Sequence, residues 1–135
     1  MLNFNVKIKT LAMKSLLFFF LFVGTTSSFF SQENFIIGRS QSVSELVQSK
    51  SNGVYTFYFP STITKEKIEI AANYYPTYFA YTINEVENSI KITLLENTLN
   101  NRRIIMRFLM SSRLQKINVD NTELLVQDFF ESYMN

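Results

Sequence analysis

Between Val54 and Leu95 the apolar positions change their period three times, and the changes mark out one continuous unit with no linker inside it. Val54-Tyr55-Thr56-Phe57-Tyr58-Phe59 consists only of β-branched and aromatic residues and is stopped by Pro60, which predicts a strand running into a loop. Thr64 then stands where an N-cap is needed. Ile63 before it and Ile68 four positions into the helix have the spacing of a hydrophobic staple. Ile68, Ala71, Ala72 and Tyr75 share one face of a helix over Lys65 to Tyr75, which Pro76 closes by keeping Tyr75 out of the α region. Next the period becomes two. Phe79, Tyr81 and Ile83 alternate with Ala80, Thr82 and Asn84, Glu87-Asn88-Ser89 turns, and Ile90, Ile92 and Leu94 alternate with Lys91 and Thr93, an antiparallel hairpin with an uncharged buried face.

On the N-terminal side of this unit, Phe35-Ile36-Ile37 followed by Gly38 reads as an edge strand or a tail lying on the core. Ser42 and Glu45 have capping-box spacing. They open a short helix with Val43, Leu46 and Val47 on its apolar face, and Ser51-Asn52-Gly53 ends it. On the other side, Asn97 or Thr98 starts the longest helix, running to about Ser112. Leu99, Met106, Leu109 and Met110 are predicted to face inward, with Ile105 and Phe108 flanking them. Leu114 to Val119 makes a fourth strand with Ile117 and Val119 inward. Thr122 then caps a final helix with the apolar stripe Leu125, Val126, Phe129, Phe130 and Tyr133. The expectation is an α+β fold: a ferredoxin-like βαββαβ two-layer sandwich over residues 54–119, with a short N-terminal strand and helix and an extra C-terminal helix. Its open sheet face would carry Thr56, Tyr58, Thr82, Asn84, Lys91, Thr93, Lys116 and Asn118, nearly all polar, unless a terminal helix crosses it.

The first 31 of the 135 residues follow another pattern. Lys7, Lys9 and Lys14 precede the apolar run Leu16 to Val23, and small or hydroxylated residues follow from Gly24 to Ser28, the three regions of a secretory signal peptide. A transmembrane anchor is the alternative, but it needs about 20 apolar residues and the run is shorter. Cleavage is expected among residues 28–32, with Ser28 and Ser31 both possible last residues, and Met13 is a second candidate start. The predicted domains are thus 1–31, signal, and 32–135, one α+β domain. Removing the signal takes away three lysines and no acid, so 13 basic against 11 acidic residues becomes 10 against 11. Without a basic footprint, nucleic acid is not an expected partner. With no cysteine anywhere, an exported chain can form no disulfide and no acylated-cysteine anchor, so its stability must come from packing.

The element order over residues 54–119 resembles the heavy-metal-associated domain family, small βαββαβ modules of copper chaperones and metal-transporting ATPases. That family binds metal through a CxxC pair in the first strand-to-helix loop. Here the loop reads Pro60-Ser61-Thr62-Ile63-Thr64-Lys65, so the resemblance implies a fold and a metal-free relative, with no cofactor and no metal site.

The chemistry left open is narrow. Absence of both histidine and cysteine removes Ser-His and Cys-His nucleophilic catalysis and the common zinc sites, and Gly38 and Gly53 alone make no phosphate loop. Glu85 and Glu87 share a strand face and are the acid-base candidates, against the plainer reading of a solvated hairpin end. Met106 and Met110 stand at i, i+4 as a thioether pair or as core filler. Arg102, Arg103 and Arg107 concentrate charge on the long helix, with Arg113 just beyond it, as a solvated face or as a site for an acidic partner, a polyanion or a lipid head group. Tyr74 and Tyr78 around Pro76 are the candidate interface anchors, or else they cover the end of the core. The loop Pro60 to Ile63 and the turn Tyr74 to Tyr78 sit at opposite ends of the first central helix, so they are not expected to form one patch. These features favour a small exported, non-enzymatic binding or interaction module of the bacterial cell envelope, with a protein or envelope component as partner. A carboxylate-dependent enzyme or a structural envelope subunit are the alternatives.

Overall fold

In the computed structural model, residues 32–135 are described; the signal segment expected at 1–31 lies outside them. The chain runs β1 (Ile37–Ser40), α1 (Val43–Asn52), β2 (Val54–Tyr58), α2 (Lys65–Ala72), β3 (Phe79–Asn84), β4 (Ser89–Leu94), α3 (Leu99–Ser111), β5 (Lys116–Val119), β6 (Thr122–Leu125) and α4 (Val126–Tyr133). The six strands form one sheet in the order β3-β4-β2-β1-β5-β6. Only β1 and β5 run parallel; the other neighbours are antiparallel.

The central unit forms as its pattern predicts. Strand β4 lies between β2 and β3, pairing Ile92 with both Tyr55 and Tyr81, so β2-α2-β3 is a split β-α-β arrangement. Ile90, Ile92 and Leu94 are buried while Lys91 and Thr93 are exposed. Thr64 caps α2, accepting from the Lys67 amide at 3.4 Å. That helix ends at Ala72 rather than Tyr75, and the Tyr75 ring packs on Phe79 at 6.1 Å between centroids.

The ferredoxin-like order is not what the sheet adopts. That order would set β5 directly beside β2, and here β1 separates them, pairing with both. The segment read as an edge strand or tail is therefore interior. Its inward positions are Gly38 and Ser40, too small to register as an apolar alternation, and their size is what the packing needs. A Cβ at Gly38 would come within 2.8 Å of Leu114 Cδ1 and 3.1 Å of the Tyr58 carbonyl oxygen. A second correction concerns Thr122, which belongs to β6 instead of capping a helix. Asp120 and Asn121 both take positive φ, 46° and 67°, between the paired Val119 and Thr122, a two-residue turn of the type that suits a twisted hairpin. A third is the phase of α3. Ile104, Ile105, Phe108 and Leu109 are buried, Met106 is half-buried, and Leu99 and Met110 are exposed.

All four helices contribute to one core on one side of the sheet. Leu46 of α1, Ile68 of α2, Phe108 of α3 and Phe129 of α4 are buried in the same cluster as Tyr55, Phe57, Ile90, Ile92 and Ile117. Edge-to-face contacts of Phe57 with Phe129 at 5.9 Å and of Phe108 with Phe79 at 5.7 Å and Phe59 at 6.3 Å fasten the helices to the strands. The other sheet face stays open. None of the eight polar residues predicted for it is buried, and Arg39 lies over the Tyr58 ring there at 3.9 Å. No helix among the described residues is long and apolar enough to cross a membrane.

Candidate binding groove

Both ends of α1 are closed by residues legible in the sequence. Ser42 and Glu45 form the reciprocal capping box, the Ser42 amide donating to Glu45 Oε2 at 2.9 Å, and these bonds hold the Glu45 carboxyl below its usual range. Gly53, at φ 74°, donates its amide to the Ser49 carbonyl at 2.8 Å. With these ends fixed, concave regions of the surface formed by the described residues include the following.

The first lies between α2 and α3, about 440 Å³ in volume, lined by Thr62, Ile63, Lys67, Ile70, Ala71, Tyr74, Ser111, Ser112 and Arg113, with Ile36 at its floor. Tyr74 is 75% exposed and Ile70 57%, and standing four residues apart on α2 and its end they put two large apolar side chains on one side of the groove. The second, wider region shares Ile36 and Arg113 and continues past Phe35, Met110 and Leu125. The third sits on the open sheet face among Arg39, Tyr58, Pro60, Glu87, Asn118 and Asn121.

The five predicted binding residues do not converge. Tyr74 lines the first groove, and Thr62 and Ile63 line it with Tyr74, so the loop before α2 and the turn after it do share one surface. They meet because the groove runs the length of the helix. Tyr78 is 38% exposed and does not line that groove; its carbonyl accepts from the Leu95 amide at 3.0 Å. Arg102 is half-buried and structural: Nε donates to the Met134 carbonyl at 2.6 Å and an Nη to Asn97 Oδ1 at 3.0 Å, tying α3 to the chain's end. Arg103 and Arg107 are exposed and form no side-chain hydrogen bond or ion pair among the described residues.

The remaining candidates are equally dispersed. Glu85 pairs with Lys65, and this hydrogen bond and charge raise the Lys65 ammonium above its usual range. Glu85 and Glu87 are both exposed, so no water-excluding cleft acts on either carboxylate. Among the described residues no three His, Cys, Asp or Glu side chains gather as a metal site. Met106 is half-buried and Met110 is 55% exposed on the rim of the second region.

No family model, curated protein or solved structure matches the chain. The mixed six-stranded sheet with helices is therefore a generic α+β arrangement, without support for a heavy-metal-associated assignment.

Lys67 and Ile70 were not singled out as site residues in the sequence, Ile36 was read only as part of a strand or tail, and Arg113 only as the end of the basic stripe. Lys67, Ile70, Ala71 and Tyr74 do fall at i, i+3, i+4 and i+7, a second stripe on α2 beside the buried one. Arg113 and Ile36 are brought in by the end of α3 and by the register of β1, and no local pattern carries that information.

Proposed function

We propose that the protein is a small exported binding module of the bacterial cell envelope, acting by recognition rather than catalysis, with the groove between α2 and α3 as its ligand site. The observation that carries this reading is the groove itself, a mostly apolar concavity of about 440 Å³ flanked by the exposed Tyr74 and Ile70. Such a size and lining are those of a small-ligand site, and an aromatic ring on the rim supplies contact area at little entropic cost. Export rests on the leader pattern of residues 1–31. The split β-α-β unit β2-α2-β3 is what the chain has in common with the ferredoxin-like heavy-metal-associated modules. A distant, metal-free relation to them belongs to the proposal on topology alone.

The test compares the protein purified from its own envelope fraction with the variants Tyr74→Ala, Tyr78→Ala and Thr82→Asp, each tagged identically and checked by thermal unfolding. A co-purifying component, read by native mass spectrometry, should be depleted in Tyr74→Ala and retained by the other two, with all unfolding midpoints close. Equal retention by all four proteins, or no retained component at all, contradicts the reading.

A further inference from the structure

The groove holds two cations, and neither is neutralised. Among the described residues Lys67 and Arg113 have no ion-pair partner and no side-chain hydrogen bond, and no acidic residue lines the groove with them. The two serine hydroxyls of the groove are committed as donors elsewhere. Ser111 Oγ gives its proton to the Phe108 carbonyl at 2.9 Å and Ser112 Oγ to the Leu109 carbonyl at 2.7 Å. The same carbonyls, with that of Met110, also take the amides of Ser112, Leu114 and Arg113, so the end of α3 turns few free acceptors toward the groove.

Arg113 reaches this place at a conformational cost. It occupies the residue after the helix cap with φ 73°, its amide bonded to the Met110 carbonyl and the next amide, of Leu114, to the Leu109 carbonyl. This is the motif in which glycine is favoured, because a Cβ is strained in the left-handed region. A long cationic side chain held there serves the fold less well than glycine would, and it lines both contiguous grooves.

Resting on the binding reading above, we propose that the groove takes a small amphiphile with an unbranched alkyl body and a carboxylate head. The head lies on Arg113 and Lys67, and the body lies along Ile70, Ala71 and Tyr74, which follow Lys67 on the same face. Planar, bidentate donation suits the arginine to a carboxylate, and the Lys67 ammonium adds positive charge to the same groove. From Lys67 to Tyr74 the seven-residue rise is roughly 10 Å, the order of a ten-carbon chain. A peptide fits the lining less well. Along one side the groove is walled by α2, whose backbone groups are bonded within the helix; α3 reaches it only through its last residue, Ser111, and the two serine protons are committed. It therefore offers little to the amides of an extended chain, whereas an alkyl chain requires nothing polar.

Decanoate, decyltrimethylammonium and 1-decanol, each below its aggregation concentration, are titrated into the exported protein by calorimetry and by amide chemical shifts. Decanoate should bind, with shifts confined to the stretches around Ile63 to Tyr74 and Ser111 to Arg113, and the cationic analogue should bind about tenfold more weakly or not at all. Arg113→Gly keeps the backbone conformation that glycine prefers, so it should fold at least as well while weakening decanoate about tenfold or more. Lys67→Met should weaken it further in combination. Equal affinity for the cationic analogue, undiminished binding by a folded Arg113→Gly, shifts elsewhere, or no decanoate binding each overturn the proposal. Tighter binding of a short peptide ending in a leucine carboxylate overturns it in favour of a chain terminus. In any of these cases an envelope component lost in Tyr74→Ala leaves the binding reading standing, whereas absence of any such component removes that reading too.

Discussion

Tyr55 is the residue at which this core departs from simple packing. It is fully buried, its ring stacked on Phe57 at 6.4 Å between centroids, and its hydroxyl has no hydrogen-bond partner among the described residues. A buried polar group without a partner costs about 1–3 kcal/mol, while the phenyl ring without it would fill almost the same volume. Tyr55→Phe is therefore expected to leave stability unchanged or to raise it by about 1 kcal/mol, read from urea unfolding at neutral pH. A loss of more than about 1 kcal/mol would show that the hydroxyl is satisfied after all. The alkaline limb offers a separate check. Burial pushes the phenol up to about 12, against the pull of the positive Arg102. In the unfolded chain the phenol titrates near its ordinary value of about 10. The contribution is thus fully present below about pH 10 and is lost as pH climbs toward 12, because the unfolded state releases its proton first. Over that window the wild type should lose stability relative to Tyr55→Phe.

At the scale of elements, the hairpin β3–β4 supplies the most direct test of register. Ile92 is fully buried between Tyr55 and Tyr81, and Thr93, its neighbour, faces the open side. Ile92→Asp places an unpaired charge in the core and should cost about 4 kcal/mol or more, whereas Thr93→Asp should stay within about 1 kcal/mol, both measured in denaturant. A reversed order would mean the strand is out of register by one residue, and equal costs that the register or the strand itself is wrong. This alternation was legible because each of its positions is unambiguous: isoleucine or leucine inward, lysine or threonine outward. The capping box of Ser42 and Glu45, Gly53 and the caps Thr64 and Thr98 were legible for a similar reason, since each is a local requirement met by a local residue. Strand β1 was not, because its inward residues are Gly38 and Ser40, chosen for the closeness of Leu114 rather than for hydrophobicity. Nor was β6. Thr122 and Glu123 at its start suit a helix cap and first turn as well as a strand, and the two left-handed residues Asp120 and Asn121 decide for the hairpin. The groove was half legible: Tyr74 was identified from its exposed setting beside Pro76, while Ile36 and Arg113 arrive through long-range placement that no window of sequence contains.

At the scale of the whole molecule, the fold states where it must begin, and this bears on where a signal segment can be removed. The Ile36 amide donates to Gln115 Oε1 at 2.8 Å, the Ile36 carbonyl accepts from the Gln115 amide at 2.9 Å, and the Phe35 ring lies 4.0 Å beneath Lys116 Nζ. These bonds continue the parallel pairing of β1 with β5 beyond the first residue of the strand, and both residues also line the grooves. Cleavage beyond Asn34 would strip them from an interior strand only four residues long, exposing the pairing that separates β5 from β2. On the proposed export reading, the leader pattern would independently put the cut among residues 28–32. The exported protein is therefore expected to start between Phe29 and Glu33, determined by intact mass and N-terminal sequencing of the periplasmic or culture fraction. Residues 1–28 still attached in the exported, soluble fraction would reject the signal assignment. A folded chain starting at Ile37 or later would instead show that the Phe35 and Ile36 contacts are dispensable, and with them the floor of the groove.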